Sequence, residues 1–110
     1  MAKFIKGDVV VIPFPFSDLT QTKRRPALVI STLEGDDVIL CQITSQTFRD
    51  NYAIPLEDKD FKTGELKQSS NVRANRIFTA DSHIILYKAG SLTVNRLNEV
   101  INKIVEIIRK

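Results

Sequence analysis

Two short segments carry the residue types that phosphate chemistry needs. Lys23-Arg24-Arg25-Pro26 concentrates three cations where a polar stretch gives way to an apolar run. Gln42-Ile43-Thr44-Ser45-Gln46 gathers amides and hydroxyls where a neighbouring apolar run ends. A guanidinium offers phosphate oxygens a permanently charged, two-pronged fork, and a threonine hydroxyl adds one more donor. Spacing alone does not separate this from an ordinary surface arginine beside a strand-end threonine, and the residues leave both readings open.

Other chemistries find less support. The single histidine, His83, follows Asp81 in what reads as a surface turn, with no serine–histidine motif around it. The single cysteine, Cys41, lies inside an apolar run, where a reactive thiolate is disfavoured and a core role is expected. One cysteine makes no internal disulfide, and Cys41 with His83 falls short of a zinc ligand set. The four glycines are not spaced to cradle a nucleotide phosphate. No metal and no cofactor is therefore expected.

Lys and Arg number 16 against 13 Asp and Glu, a net charge of +3 that hints only weakly at a polyanionic partner. The distribution is more informative. Lys23, Arg24 and Arg25 sit together, and Arg73 and Arg76 lie in a stretch without acids between Glu65 and Asp81. The acids gather at Glu34-Asp36-Asp37 and Glu57-Asp58-Asp60. Such segregation suits a groove that tracks a phosphate backbone, and equally a solvated face.

The elements that must position these residues follow from patterning. A chain of 110 residues, 43% apolar and 26% charged, has the length and composition of one globular domain, residues 1–110, with no repeat or linker. Asp8–Phe14 reads as a strand ending near Pro13, and residues 15–24 as a long polar loop. Pro26–Ser31 and Val38–Thr44 read as two strands around a Glu34-Gly35-Asp36-Asp37 turn, with Pro26 opening the first. This hairpin brings Arg25 and Thr44 to the same open end. Alternation puts Val38, Leu40, Gln42 and Thr44 on one face and Ile39, Cys41 and Ile43 on the other. Tyr52–Leu56 is a short strand that Pro55 marks as an edge, 58–65 a charged loop and Ser70–Thr79 another strand. Ile84–Tyr87 fits a strand or a helical turn. From about 93 to 109, Val94, Leu97, Ile101, Ile104 and Ile108 recur at helical spacing behind a Thr93 N-cap. Glu99–Lys103 and Glu106–Lys110 have the favourable i, i+4 order. The residues thus predict five or six short strands curled into a small barrel and closed by an amphipathic C-terminal helix. No apolar run approaches the ~20 residues of a membrane span, and the first residues lack a signal-peptide core, so a cytoplasmic protein without a membrane role is expected.

Four stretches together resemble the MazF/PemK family of toxin–antitoxin ribonucleases. They are Gly7-Asp-Val-Val-Val-Ile-Pro-Phe-Pro-Phe-Ser-Asp-Leu19, Lys23-Arg-Arg-Pro-Ala-Leu-Val-Ile30, Gln42-Ile-Thr-Ser45 and Ser70-Asn-Val-Arg-Ala-Asn-Arg-Ile-Phe-Thr-Ala-Asp81. The likeness runs from Gly7 to about Glu106. Where the family often has a lysine after its late Thr-x-Asp, this chain has Ser82. The resemblance implies a mainly β fold with α, a small SH3-like antiparallel barrel (CcdB/MazF type) of 5–7 strands with a C-terminal helix. It also implies a homodimer, a cognate antitoxin as partner, and metal-independent, sequence-specific cleavage of single-stranded RNA. The family's catalytic arginine and threonine fall on Arg25 and Thr44. Its RNA groove, covered by the loop after the first strand, implicates Ser17, Thr20, Lys23 and Arg24, with Gln46, Arg73 and Arg76 as further contacts. Phe14 and Phe16 flank Pro15 there; Phe14 is expected in the core and Phe16 free to stack on a base. In the implied reaction the ribose 2′-hydroxyl attacks its own phosphate, leaving a 2′,3′-cyclic phosphate and a 5′-hydroxyl. The alternatives are a CcdB-like toxin that binds DNA gyrase, whose fold is similar, and a nucleic-acid-binding relative without turnover.

Overall fold

β-branched residues dominate the segments that form strands, and the sheet they build has two buried faces. The computed structural model describes residues 4–14, 23–47 and 50–110. Its elements are β1 (Asp8–Phe14), β2 (Lys23–Thr32), β3 (Asp37–Thr44), β4 (Ala53–Leu56), β5 (Phe61–Gly64), β6 (Ser70–Asp81), β7 (Tyr87–Leu92) and α1 (Val94–Ile108). The seven strands form one sheet in the order β4-β6-β3-β2-β1-β7-β5, antiparallel throughout and curled into a half-barrel.

Alternation along the central strands sorts their side chains as the sequence predicts. Val9, Leu28, Cys41, Ile43 and Val72 turn to one face, where Leu97, Val100 and Ile104 of α1 pack on them. Val10, Ile12, Ala27, Val29, Val38 and Leu40 turn to the other, beneath Phe4, Phe78, Ile84 and Ile85. Each fully buried Val, Leu or Ile contributes about 1.5–3 kcal/mol relative to exposure. Cys41 is fully buried, its S–H donating to the Arg73 carbonyl over 2.9 Å. Burial pushes its thiol up to about 12, against a smaller opposing pull from Arg73, so at neutral pH it is a core residue.

α1 begins as its cap residue dictates, the Thr93 hydroxyl accepting from Arg96 N–H at 3.3 Å. Asp60, buried beneath the helix start, accepts from Glu57 N–H at 2.8 Å and lies 3.2 Å from Arg96 Nε. Burial pulls its carboxyl upward, but the Glu57 hydrogen bond and the Arg96 guanidinium outweigh it and leave it below the usual range. The anticipated i, i+4 pairs are replaced by i, i+3 pairs. Arg96 meets Glu99 at 2.8 Å and Lys103 meets Glu106 at 3.4 Å. Lys110 turns instead to the Tyr52 hydroxyl at 3.0 Å and lies over that ring.

Three further expectations change. The 58–65 segment is not all loop: a 3-10 turn at Asp58–Asp60 leads into β5, an edge strand of mostly exposed side chains. Ile84–Tyr87 divides between a 3-10 turn at Ser82–Ile84, capped by Asp81, and the start of β7. Pro26 does not open β2 but sits inside it, opposite Val11; the register with β3 begins only at Ala27, so Pro26 lies where that side of β2 is open. β1 spans Asp8–Phe14 as expected, but its pairing with β2 does not stop at Pro13 and continues to Phe14, opposite Lys23. Pro55 does lie on an edge strand, β4.

Candidate functional site

The β2–β3 register runs Leu28↔Cys41 and Ala27↔Gln42. Continued by one residue it sets Pro26 across from Ile43, and by two, Arg25 across from Thr44. Residues directly opposite in an antiparallel pair project to the same side of the sheet. Pro26 also faces Val11 of β1, and Val11 in turn faces Tyr87 of β7. One row thus crosses four strands: Ile43, Pro26, Val11, Tyr87. It continues the helix-covered face beyond the reach of α1, and it is the floor of an open cleft of about 370 Å³.

Arg24, Arg25, Thr44, Ser45, Lys67, Gln68 and Ser70 border that floor. Alternation turns Arg25 and Thr44 away from the Pro26–Ile43 row, so this pair forms the border of the cleft and not its floor. Among the described residues, three cations and no carboxylate line the cleft. Among the described residues, no acidic group lies within ion-pair distance of Arg24, Arg25 or Lys67. Thr44 Oγ1 accepts from Gln46 N–H at 3.2 Å, which anchors the hydroxyl and leaves its own proton available to donate. The arrangement presents positive charge and oriented donors on an apolar base, which suits an extended phosphodiester.

The residues singled out from sequence fall in different places. Arg24, Arg25 and Thr44 come together in the cleft. Lys23 is exposed at the start of β2, beside the lining. Phe16, Ser17 and Thr20, and the side chain of Phe14, lie outside the described residues. Gln46 is exposed next to Thr44, its carbonyl accepting from Asn71 Nδ2 at 3.1 Å, and Arg76 is exposed on β6; neither lines the cleft. Arg73 is placed differently from a groove contact. It is 5% exposed, and both terminal nitrogens meet the Asp50 carboxylate at 2.9 Å. The Asp50 carboxyl is held below its usual range, first by this hydrogen bond. Lys67, Gln68, Ser70 and Tyr87 were not anticipated at the cleft. Only Lys67 left a trace in sequence, as a cation in the acid-free stretch after Glu65.

His83 occupies the surface turn expected of it. Its backbone N–H and Nδ1 lie 2.8 and 2.7 Å from Asp81 Oδ1, and Asp36 Oδ2 is 4.0 Å from Nδ1. All three side chains are exposed and none lines the cleft.

With this geometry in place, comparison with known proteins is informative. A family model of PemK-like, MazF-like toxins of type II toxin–antitoxin systems matches residues 5–108. No curated protein matches the chain by sequence. Among solved structures it is similar to MazF from Deinococcus radiodurans, at 22% identity and a TM-score of 0.76 over 97% of each chain. It is also similar to a MazE–MazF structure from Deinococcus radiodurans, at 21% identity and a TM-score of 0.78 over 96% of this chain and 95% of that one. An endoribonuclease in complex with its cognate antitoxin, from a mycobacterial species, matches at 17% identity and a TM-score of 0.72, over 98% and 95% of the two chains. At these identities the likeness establishes the fold, the half-barrel with its C-terminal helix.

Proposed function

The chain belongs to the PemK-like, MazF-like toxin family of type II toxin–antitoxin systems, and from that membership we propose that it is an endoribonuclease whose working site is the Arg25–Thr44 cleft. The observation that carries the reading is the cleft itself: Arg24, Arg25, Lys67 and Thr44 line it together, and among the described residues no carboxylate does. A carboxylate there would repel a phosphodiester or neutralise the arginine that must hold it.

In this reading the ribose 2′-hydroxyl attacks the adjacent phosphorus, a P–O bond forms to it, and the bond to the 5′-oxygen of the next nucleotide breaks. The 2′-hydroxyl proton leaves and the departing oxygen gains one, giving a 2′,3′-cyclic phosphate and a 5′-hydroxyl. Because the nucleophile belongs to the substrate, no water has to be activated. Arg25 holds the non-bridging oxygens as charge builds on them, and Thr44 donates to the same phosphate. An arginine with a pKa above about 12 rarely releases its proton, so its part is electrostatic. Arg24 and Lys67 neutralise neighbouring phosphates, and Lys23 draws the strand in from the rim. The protein acts as a homodimer on single-stranded RNA and is silenced by a cognate antitoxin, an acidic segment of which occupies the same cationic cleft.

The test incubates the purified protein with a long single-stranded RNA in excess EDTA, beside Arg25→Ala. Discrete cutting by the wild type alone, with 5′-hydroxyl ends, is the expected result. Loss of one oxyanion-type donor typically lowers rate roughly a hundred- to a thousandfold. Absence of cutting by the folded wild type overturns the proposal.

A further inference from the structure

The apolar row that floors the cleft ends on an aromatic ring for which the reaction above has no use. Tyr87 lines the cleft from β7 and is 51% exposed, whereas Val11 beside it is 7% exposed and Ile43 at the far end is fully buried. Neither ring nor hydroxyl is engaged: among the described residues the Tyr87 hydroxyl has no hydrogen-bond partner and no ring packs on it. A tyrosine held for stability usually buries its ring and satisfies its hydroxyl. This one offers both to whatever enters a cationic cleft.

We infer that Tyr87 is a base-stacking residue, seating the nucleobase of a nucleotide that neighbours the one whose phosphate is held by Arg25 and Thr44. The inference rests on the ribonuclease reading and deepens it. Three points on the structure carry it. First, the register sets the ring in line with Val11 and Pro26, and Tyr87, Arg25 and Thr44 all line the same cleft. Second, strands lie about 4.8 Å apart, so Tyr87 stands two steps, about 10 Å, from Pro26. That separation sets the ring to one side of the phosphate-binding border within the same cleft. Third, cations flanking an exposed ring are the combination by which proteins hold single strands, charge tracking the backbone and rings taking the bases.

Stacking accepts any base, because every base has a π face. Tyr87 therefore governs how many nucleotides the RNA must extend past the cut, and not which base stands there. That separates it from residues that read base edges.

The experiment begins by mapping one cut made by the wild type in a long RNA. Short RNAs bearing that site then carry an abasic nucleotide at each flanking position in turn, with a 2′-deoxy nucleotide at the cut so that affinity is measured without turnover. One abasic position is expected to weaken wild-type binding roughly five- to a hundredfold. Tyr87→Ala and Tyr87→Leu should lose the same factor on intact RNA and become indifferent to that abasic position, while Tyr87→Phe, which keeps the ring, behaves as wild type. Tyr87→Leu keeps an apolar side chain on β7, and thermal melting checks that each variant is folded. The inference is overturned if both ring-less variants bind like wild type, or if their loss simply multiplies with that of every abasic site. Wild-type protein that neither cuts nor binds RNA would bring down the ribonuclease reading itself, and this inference with it.

Discussion

Arg25 borders an open cleft and, among the described residues, has no carboxylate within ion-pair distance, whereas Arg73 is buried and locked to Asp50 through both terminal nitrogens. The two arginines therefore fail differently when replaced. Arg25→Lys keeps the charge but loses the two-pronged fork, so cleavage is expected to fall nearly as far as in Arg25→Ala, roughly a hundredfold or more, while the melting temperature stays put. Arg73→Lys should do the reverse, lowering the melting temperature while each folded molecule retains its rate. Sequence could single out Arg25 and Thr44, which both line the cleft, because each sits in a short motif whose order along the chain is distinctive. It mis-sorted Arg73 because nothing local to β6 announces that Asp50, in a different segment, is waiting for it. Lys67 and Tyr87 went unseen for a related reason: they join the cleft through the register of β7 and the loop before β6, and neither pairing is encoded near the residue itself.

Among the elements, α1 was legible almost to the residue, since helix periodicity and a capping threonine are local properties. β5 and β7 were not. Their strands carry Lys62, Thr63, Lys88 and Ser91 with the small Gly64, Ala89 and Gly90, and the two strands approach closely where Gly64 faces Gly90. A Cβ at Gly64 would strike the Ala89 carbonyl, and Gly64 also has a φ of +72°, where side chains are strained. Gly64→Ala is thus expected to unzip β5 from β7 and lower the melting temperature, measurably more than Gly35→Ala, where φ is +74° but nothing lies within 4 Å. At the helix start, Thr93→Ala should cost about 1 kcal/mol in a denaturant titration. Asp60 beneath it gives that junction a pH dependence. Its folded pKa lies below the unfolded value of about 3.9, so its contribution is complete above that value and is lost as pH falls through the folded pKa. Melting temperatures between about pH 5 and pH 2.5 should therefore drop less steeply for Asp60→Asn than for wild type.

At the scale of the whole molecule, Arg24, Arg25 and Lys67 gather at one cleft of the sheet. With three cations in the cleft, the logarithm of RNA affinity should fall against the logarithm of salt concentration with a slope of about −2, and by roughly 0.7 less for Lys67→Ala. Fluorescence anisotropy at several salt concentrations measures this. The sheet order also has a temporal meaning. The cleft floor is stitched from residues 43, 26, 11 and 87, and its last stitch joins β1, made early in synthesis, to β7, made late. A chain still growing on the ribosome can fold the β2–β3 hairpin and yet lack the β1–β7 pairing that completes the cleft floor.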